Sequence, residues 1–150
     1  MIGHQQPDTD TVLSAIGYAT LKQAQGEDVR PARCGELNPE TRFVLERFGV
    51  EAPELLDDAT GNDIVLVDHN EYSQTAPGMR EARVVGVVDH HRLGDVETSE
   101  PISCRIEPVG STATILADMY AEDGVTIPDN VAGLLLSGLL SDTVVLRSPT

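Results

Sequence analysis

Two short apolar runs, each ending in an aspartate followed by histidine, constrain the fold of this chain more than any other feature. They are IVLVDHN, at residues 64–70, and VVGVVDHH, at residues 84–91. A run of four or five apolar, mostly β-branched residues predicts a strand buried on both faces, as the strands of parallel sheets are. Both runs therefore predict buried strands with titratable side chains at their carboxyl ends.

Helical and extended patterns alternate along the chain, which indicates an α/β fold with a mainly parallel sheet and helices on both faces. We expect the 150 residues to form one domain, in which Ile2 is the end of a first strand. Asn38 is predicted to cap the second helix and Gly49 to end it. The predicted helices cover residues 11–25, 39–48, 110–123 and a segment from 129 onward, and the predicted extended segments cover 31–34, 64–67, 84–88 and 103–107.

The charge of the chain argues against several classes of partner. It has 25 acidic and 10 basic residues, a formal net charge of -15, and Lys22 is its one lysine. Such a chain repels nucleic acid and anionic lipid, so we predict neither as a partner. The composition favours a halophilic protein from a high-salt cytoplasm, with an acidic protein of ordinary salt tolerance as the alternative.

The sequence contains neither a membrane-spanning pattern nor a secretory signal. No apolar run approaches the roughly 20 residues needed to cross a bilayer, and no basic segment precedes an apolar one at the N-terminus. We therefore predict a cytoplasmic protein with no membrane partner. Cys34 and Cys104 lie far apart, in no metal-binding or redox spacing, and are predicted to be reduced, buried thiols.

A third polar cluster, IGHQQPDTD at residues 2–10, follows the predicted first strand, and Asp142 ends the last apolar helix. All four histidines of the chain lie in the three clusters. Because the carboxyl ends of parallel strands meet at one edge of the sheet, these side chains are expected to converge in one crevice. Pro7 keeps Gln6 out of helical geometry, so residues 4–10 are predicted to form a loop that can surround an ion.

Carboxylates crowded in such a crevice repel one another, and divalent cations remove that cost. A ligand set of oxygen and imidazole nitrogen without thiolate favours Mn²⁺, Co²⁺ or Mg²⁺ over structural zinc. Two such ions bridged by one carboxylate can lower the pKa of a shared water and hold the oxygens of a phosphoryl group. The predicted chemistry is metal-assisted hydrolysis of a phosphate ester or anhydride.

Each of these residues also has a simpler interpretation when it is taken alone. Asp10 stands where a helix N-cap is expected, and Asp68 and Asp89 are residues of a kind that often ends a strand. His4 is equally compatible with an ordinary core or surface histidine, and Asp142 with a polar residue at a helix end. The simpler interpretations would have to hold together at three strand ends, which favours the metal site.

In these residues the sequence resembles the DHH phosphoesterase superfamily, and within it the manganese-dependent family II inorganic pyrophosphatases. The motifs GHQQPDTD, VDHNEYSQT, VVDHH and LLSDTVVLRSPT occur in the family's order and approximate spacing across nearly the whole chain. One such motif would be weak evidence, whereas four in order are specific.

The resemblance implies two manganese ions that share one bridging carboxylate. The implied ligands of one ion are His4, Asp8 and Asp68, and those of the other are Asp10, Asp68, His90 and Asp142. His91 is implied as a catalytic residue beside Asp68, binding phosphate or donating a proton to the leaving group. Asp89 is expected to orient the neighbouring imidazoles, as carboxylates beside metal sites do, while His69 and Asn70 shape the site.

The reaction implied is hydrolysis of inorganic pyrophosphate by a water activated between the two ions. Additional Mg²⁺ is expected to accompany the substrate, and Co²⁺ is an alternative to Mn²⁺. A second hypothesis is another DHH phosphoesterase, such as an exopolyphosphatase or an oligonucleotide hydrolase. A third is a metal-binding dimerisation module without catalysis.

Members of that family form homodimers through this lobe and continue into a C-terminal DHHA2-type lobe that carries a basic substrate clamp. Residues 1–150 match only the DHH lobe, so the sequence is expected to be truncated before the second one. Few arginines are available here, and neither Arg92 nor Arg147 can be assigned to a clamp. We therefore expect these residues alone to bind metal and to hydrolyse pyrophosphate poorly.

Overall fold

The computed structural model describes residues 1–148, so Pro149 and Thr150 of the motif LLSDTVVLRSPT lie outside it. Within the described residues, helices α1 to α4 span Thr9–Ala24, Pro39–Phe48, Thr112–Glu122 and Asp129–Asp142. Strands β1 to β5 span Ala32–Arg33, Glu54–Leu55, Asp63–Val67, Arg83–Asp89 and Ser103–Ile106. Two short 3-10 helices, Tyr72–Gln74 and Met79–Glu81, lie between β3 and β4.

The strands form a parallel sheet with Ile2 near its centre. β1 pairs with β2, and β4 pairs with both β3 and β5, always in parallel. Ile2 joins the two groups because it pairs with Ala32 of β1 and with Leu66 of β3. The order across the sheet is thus β2, β1, Ile2, β3, β4, β5, and it reverses between Ile2 and β3. Open α/β sheets bind their ligands at the carboxyl ends of the strands beside such a reversal.

The two faces of the sheet are covered differently. Val67 and Val88 pack with α1, α3 and α4 on one face, and α2 packs outside them against α1 and α4. Ile2, Leu66 and Val87 point to the other face, where loops and the 3-10 helix Met79–Glu81 cover them. The predicted parallel α/β architecture is confirmed. The helical cover of the second face consists, within residues 1–148, of 3-10 helices rather than α-helices.

The start of α1 differs from the prediction by two residues. Asp8, rather than Asp10, is the N-cap, and its Oδ1 accepts a 2.9 Å hydrogen bond from the backbone N–H of Thr11. Asp10 lies in the first turn of the helix, so its interpretation as a simple N-cap is wrong. The cap predicted at Asn38 is confirmed, and Gly49 ends α2 with a left-handed φ of 65°.

Helix α1 is buried around most of its circumference, whereas the sequence predicts a single inner stripe that contains Leu13, Ile16, Ala19 and Ala24. It packs against α2, α3 and α4, so polar positions such as Ser14 are buried while Ala24 of the predicted stripe is exposed. The prediction of buried thiols is also wrong, because Cys104 is exposed and Cys34 is half-buried. No helix within residues 1–148 is long and apolar enough to cross a membrane.

Candidate metal centre

The polar clusters predicted from the sequence meet at the carboxyl edge of the sheet, where the strand order reverses. His4 follows Ile2, Asp68 follows β3, and His90 follows β4. The first turn of α1 brings Asp10 to the same place, and the last residue of α4 is Asp142. A carboxylate at the C-terminal end of a helix is disfavoured by the helix dipole, so Asp142 does not stabilise its own helix there.

Asp68 lies at the centre of the cluster. It is fully buried, its φ is 66°, and its backbone N–H donates to the carbonyl of Val88 at 2.9 Å. Aspartate and asparagine tolerate this left-handed conformation better than other residues with a side chain, which suits aspartate to this sharp turn after β3. The turn brings the two carboxylate oxygens of Asp68 between two separate groups of side chains.

The first group faces Oδ2 of Asp68. Nε2 of His4 lies 3.9 Å from this oxygen and 3.4 Å from Oδ2 of Asp8. Asp8 thus uses one oxygen to cap α1 and turns the other toward His4. Burial raises the pKa of Asp8, but the hydrogen bonds from His4 and Thr11 outweigh it and hold the pKa below its usual value.

The second group faces Oδ1 of Asp68. Nε2 of His90 lies 3.4 Å from this oxygen and 3.3 Å from Oδ2 of Asp142. Nδ1 of His90 donates to the carbonyl of Val109 at 2.9 Å, which leaves Nε2 to face the carboxylates without a well-formed hydrogen bond. Ligand atoms of Asp10, Asp68, His90 and Asp142 all lie within 4.8 Å of one another.

Helix α4 passes very close to Asp10. A Cβ added at Gly138 would lie 2.6 Å from Oδ1 of Asp10, so any larger residue at this point of the helix would displace that carboxylate. Glycine costs about 1 kcal/mol relative to alanine inside a helix. The approach that it permits brings the C-terminal end of α4, and with it Asp142, next to Asp10.

The protonation of this cluster reflects the crowding of its charges. Burial and the charge of Asp142 raise the pKa of Asp10 to about 7, and burial and the charges of Asp10 and Asp8 raise that of Asp68. Burial lowers the pKa of His90, but the neighbouring carboxylates and its bond to Val109 outweigh this and raise it to about 9. Without a cation, the cluster therefore retains protons near neutral pH.

His91 is positioned differently from His90. Its Nδ1 donates to Oδ1 of Asp89 at 2.8 Å, and its backbone N–H donates to the same oxygen at 3.0 Å. The other oxygen of Asp89 accepts a hydrogen bond from Nδ2 of Asn70. Half of the His91 side chain is exposed, and with Nδ1 fixed by Asp89 its Nε2 is the nitrogen left for a ligand.

His69 is the one histidine of the chain that belongs to none of the candidate ligand groups found among residues 1–148. It is buried, and its Nδ1 donates to the carbonyl of Val67 at 3.0 Å. Burial lowers the pKa of His69 to about 4, so the ring is neutral and packs edge-on near His4. Its Nε2 is buried without a hydrogen-bond partner among the described residues, and its role in shaping the site stays a prediction.

Two threonines at the site were missed by the sequence analysis. Thr11 and Thr112 are buried, and both donate side-chain hydrogen bonds to Asp68. Thr112 also begins α3, where its backbone N–H donates to Oδ2 of Asp10 at 2.7 Å. The sequence signals a helix start near Ser111, but nothing in it indicates that this start contacts residues a hundred positions away.

All six predicted metal ligands thus lie in two groups that share Asp68, and a third possible group joins Asp68 and His90 to His91. The ligands are carboxylate oxygens and imidazole nitrogens, a set that suits divalent cations such as Mn²⁺. Their roles as ligands stay predictions.

The fold and this arrangement define a class of protein. A family model described as the DHH family, N-terminal domain, matches residues 1–139, and the chain belongs to that family. The resemblance inferred from its motifs is confirmed.

Within the family, similar proteins over the full length of this chain are named as inorganic pyrophosphatases. A protein of Methanothrix thermoacetophila named manganese-dependent inorganic pyrophosphatase is 48% identical over 151 residues, which cover all of this chain and 49% of the relative. A solved structure from Methanococcus jannaschii, described as a candidate family II inorganic pyrophosphatase, matches with a TM-score of 0.88 at 45% identity. It covers 99% of this chain and 49% of its own. The chain therefore spans about half the length of these relatives.

A more distant structure shows the fold alone. An exopolyphosphatase-related protein from Bacteroides fragilis matches 99% of this chain with a TM-score of 0.75 at 18% identity. The parallel sheet and its helices are thus shared beyond the proteins named as pyrophosphatases.

Proposed function

We propose that this chain is the metal-binding, catalytic half of a manganese-dependent inorganic pyrophosphatase. The observation that carries the proposal is the position of Asp68, because its two carboxylate oxygens face two different groups of imidazole and carboxylate side chains. A single carboxylate between two such groups suits a pair of ions rather than one. The identity of 48% to a protein named as such an enzyme adds the substrate to the proposal.

The residues fit divalent cations on physical grounds that are independent of any relative. The two buried carboxylates, Asp10 and Asp68, point into the same small volume as Nε2 of His90, which makes no well-formed hydrogen bond. Burying these charged groups without a counterion raises the free energy of the folded state, and bound cations would offset that increase. When bound there, two Mn²⁺ ions would lower the pKa of a water and neutralise charge on the phosphate oxygens.

The protein residues divide into three roles under this proposal. The ions would be held by His4, Asp8, Asp10, His90 and Asp142, and Asp68, which belongs to both groups, would serve both ions. His91 contacts the phosphate, because its Nε2 remains available and a protonated imidazole can donate to the leaving oxygen. Asp89 holds His91 in the orientation that exposes Nε2.

The charge of the substrate supports a contribution from residues outside this chain. Pyrophosphate with its Mg²⁺ remains an anion, and the chain it approaches has a formal net charge of -15. Arg92 lies near the site but is already paired with Glu71 at 2.9 Å. We infer that the other half of the enzyme supplies further basic groups, that the intact enzyme is a homodimer, and that Co²⁺ can replace Mn²⁺.

Metal analysis and phosphate release together test the proposal. Wild-type protein dialysed against Mn²⁺ should retain two ions per chain, and Asp68→Ala should retain none. In a version extended to the length of the relatives, His91→Gln should keep both ions and lose most pyrophosphate hydrolysis. Retention of two ions by Asp68→Ala, or full turnover by His91→Gln, would contradict the assigned roles.

A substrate panel separates the proposal from another phosphoesterase activity. Pyrophosphate, polyphosphate and short oligonucleotides should be offered at equal concentration to the extended protein. We expect hydrolysis of pyrophosphate to dominate, and residues 1–150 alone to be much slower. Preferential release of nucleotides, or rapid pyrophosphate turnover by residues 1–150, would overturn these expectations.

A further inference from the structure

Asp68 receives one hydroxyl group on each of its two oxygens. The hydroxyl of Thr11 donates to Oδ2, and the hydroxyl of Thr112 donates to Oδ1 at 2.8 Å. Both threonines are at most 1% exposed, so bulk solvent does not reach these bonds. The donors come from different elements, the first turn of α1 and the first residue of α3.

The two oxygens face different ligand groups, and so each threonine is associated with one group. Oδ2, the oxygen bound by Thr11, is the one that faces His4. Oδ1, the oxygen bound by Thr112, is the one that faces His90. A carboxylate oxygen has two lone pairs, so each can accept a hydroxyl and still bind a cation.

The start of α3 also contacts the second group through hydrogen bonds to Asp10. The backbone N–H of Thr112 donates to Oδ2 of Asp10 at 2.7 Å, and the backbone N–H of Ala113 donates to Oδ1 at 3.2 Å. The helix N-terminus therefore orients two carboxylates of the same group. No such bond joins α3 to His4 or Asp8 in the contacts described for residues 1–148.

We propose, on the basis of the two-ion site described above, that Thr11 and Thr112 are positioning residues that assign one oxygen of Asp68 to each ion. Thr11 fixes the oxygen for the ion held by His4 and Asp8. Thr112 fixes the oxygen for the ion held by Asp10, His90 and Asp142. Each hydroxyl thus controls the affinity of one site and leaves the other nearly unchanged.

A purely structural role for these hydroxyls predicts something else. Two threonines that only satisfy a buried carboxylate would change the stability of the whole fold when they are removed, and would affect both ions alike. A positioning role therefore predicts that each substitution weakens metal binding at one site, whereas a structural role predicts equal weakening at both sites. Binding measurements on each site separately can resolve that difference without any measurement of activity.

The experiment uses two backgrounds that each leave one site. His4→Ala leaves the site of Asp10, His90 and Asp142, and Asp142→Ala leaves the site of His4 and Asp8. Mn²⁺ is titrated calorimetrically into each background, alone and with Thr11→Val or Thr112→Val. On the His4→Ala background we expect Thr112→Val to weaken binding by roughly 10-fold or more and Thr11→Val to have little effect. On the Asp142→Ala background the order should reverse.

Three controls make the result specific. Thr114→Val removes a hydroxyl from the same turn of α3, but that hydroxyl bonds Ser111 rather than a carboxylate of the site, so affinity should not change. Thr11→Ser and Thr112→Ser keep the donor and should restore most of the affinity. Where a valine variant does not fold, alanine at the same position removes the same hydroxyl with less bulk.

The possible outcomes also separate this inference from the proposed function. The assignment would be overturned if either Thr11→Val or Thr112→Val weakened both sites equally, or if neither variant weakened any site. In those cases the wild type would still bind two ions. Failure of the wild-type chain to bind Mn²⁺ at all would instead overturn the proposed function on which the assignment rests.

Discussion

Asp68 carries a charge that the surrounding protein disfavours and that cations would favour. It is fully buried, and burial together with the negative charges of Asp10 and Asp8 raises its pKa. A carboxyl group whose pKa is raised by folding stabilises the folded state at low pH, and this contribution is lost as pH rises. Above its raised pKa, Asp68 therefore destabilises the metal-free protein.

The first prediction is that Asp68→Asn stabilises the metal-free protein and abolishes its stabilisation by Mn²⁺. Asparagine has nearly the same shape and tolerates the left-handed turn, but it carries no charge. Its Nδ2 cannot accept a hydrogen bond, so the threonine hydroxyl that faces it must turn and accept instead. In EDTA at pH 8 the free energy of unfolding should rise by about 1 kcal/mol or more. Denaturant unfolding with and without Mn²⁺ measures both effects.

Asp57→Asn is the matched control for this prediction, because Asp57 is exposed and loses the same charge at the surface. Its effect should stay within about 0.5 kcal/mol. The advantage of Asp68→Asn should shrink as pH falls, because the wild-type carboxyl is then protonated as well. A variant that is less stable than the wild type in EDTA, or that Mn²⁺ stabilises equally, would contradict the prediction.

At the scale of whole elements, Asp8 at the start of α1 has two roles: it caps the helix, and it is a candidate metal ligand. One oxygen caps the helix at the N–H of Thr11, and the other faces His4. Serine at this position retains the capping function but offers no carboxylate, and alanine offers neither. These two substitutions separate the roles.

The second prediction is that Asp8→Ala is less stable than Asp8→Ser by about 1 kcal/mol, although both weaken Mn²⁺ binding equally. Both variants lose the same negative charge, so the change in repulsion with Asp10 and Asp68 cancels in the comparison. Chemical denaturation in EDTA measures the stability difference, and Mn²⁺ titration measures the binding. Equal stability of the two variants would mean that the cap does not matter.

Strands β3 and β4 show how far the sequence alone predicts this fold. Their apolar runs, each followed by Asp and His, indicate both the parallel sheet and the edge where the polar residues meet. This signal is local, because a run of β-branched residues has few other uses in a soluble protein. The convergence of the polar clusters at this edge could be predicted for the same reason, whereas the choice of the six candidate ligands among them rests on the family resemblance.

Other features could not be predicted because they depend on contacts between distant parts of the chain. Strand β2 is two exposed residues, Glu54 and Leu55, that pair with β1 and carry no apolar run of their own. Helix α1 has no single apolar stripe, because three other helices surround it. The hydrogen bond of Thr112 to Asp68 joins residues 44 positions apart, and neither residue carries a local sign of it.

At the scale of the whole molecule, protons and cations compete for a cluster built from four separate parts of the chain. The pKa of Asp10 is raised to about 7, and that of His90 to about 9. Because folding raises both pKa values, the protonated forms of Asp10 and His90 stabilise the metal-free fold at low pH. This stabilisation is lost as the pH rises through each pKa. Metal ligands must be deprotonated, so binding of Mn²⁺ has the opposite dependence on pH.

The third prediction is that Mn²⁺ binding releases about one proton or more per chain at pH 7. The affinity should consequently rise between pH 6 and 8, whereas the metal-free protein becomes less stable over the same range. Titration calorimetry in buffers with different enthalpies of ionisation counts the protons. Removal of the His90 imidazole should reduce the number of protons released. Release of no protons by the wild type would contradict the raised pKa values.

The fourth prediction concerns the formal net charge of -15 over 150 residues. Self-repulsion of this size weakens a compact fold in dilute buffer, and salt screens it over a distance that falls from about 10 Å at 0.1 M to about 3 Å at 1 M. An acidic protein of ordinary salt tolerance should gain most of its stability by a few tenths molar KCl. A halophilic one should gain further in the molar range. We expect the melting temperature in EDTA to keep rising between 0.2 M and 2 M KCl, and a plateau above 0.2 M would favour ordinary salt tolerance.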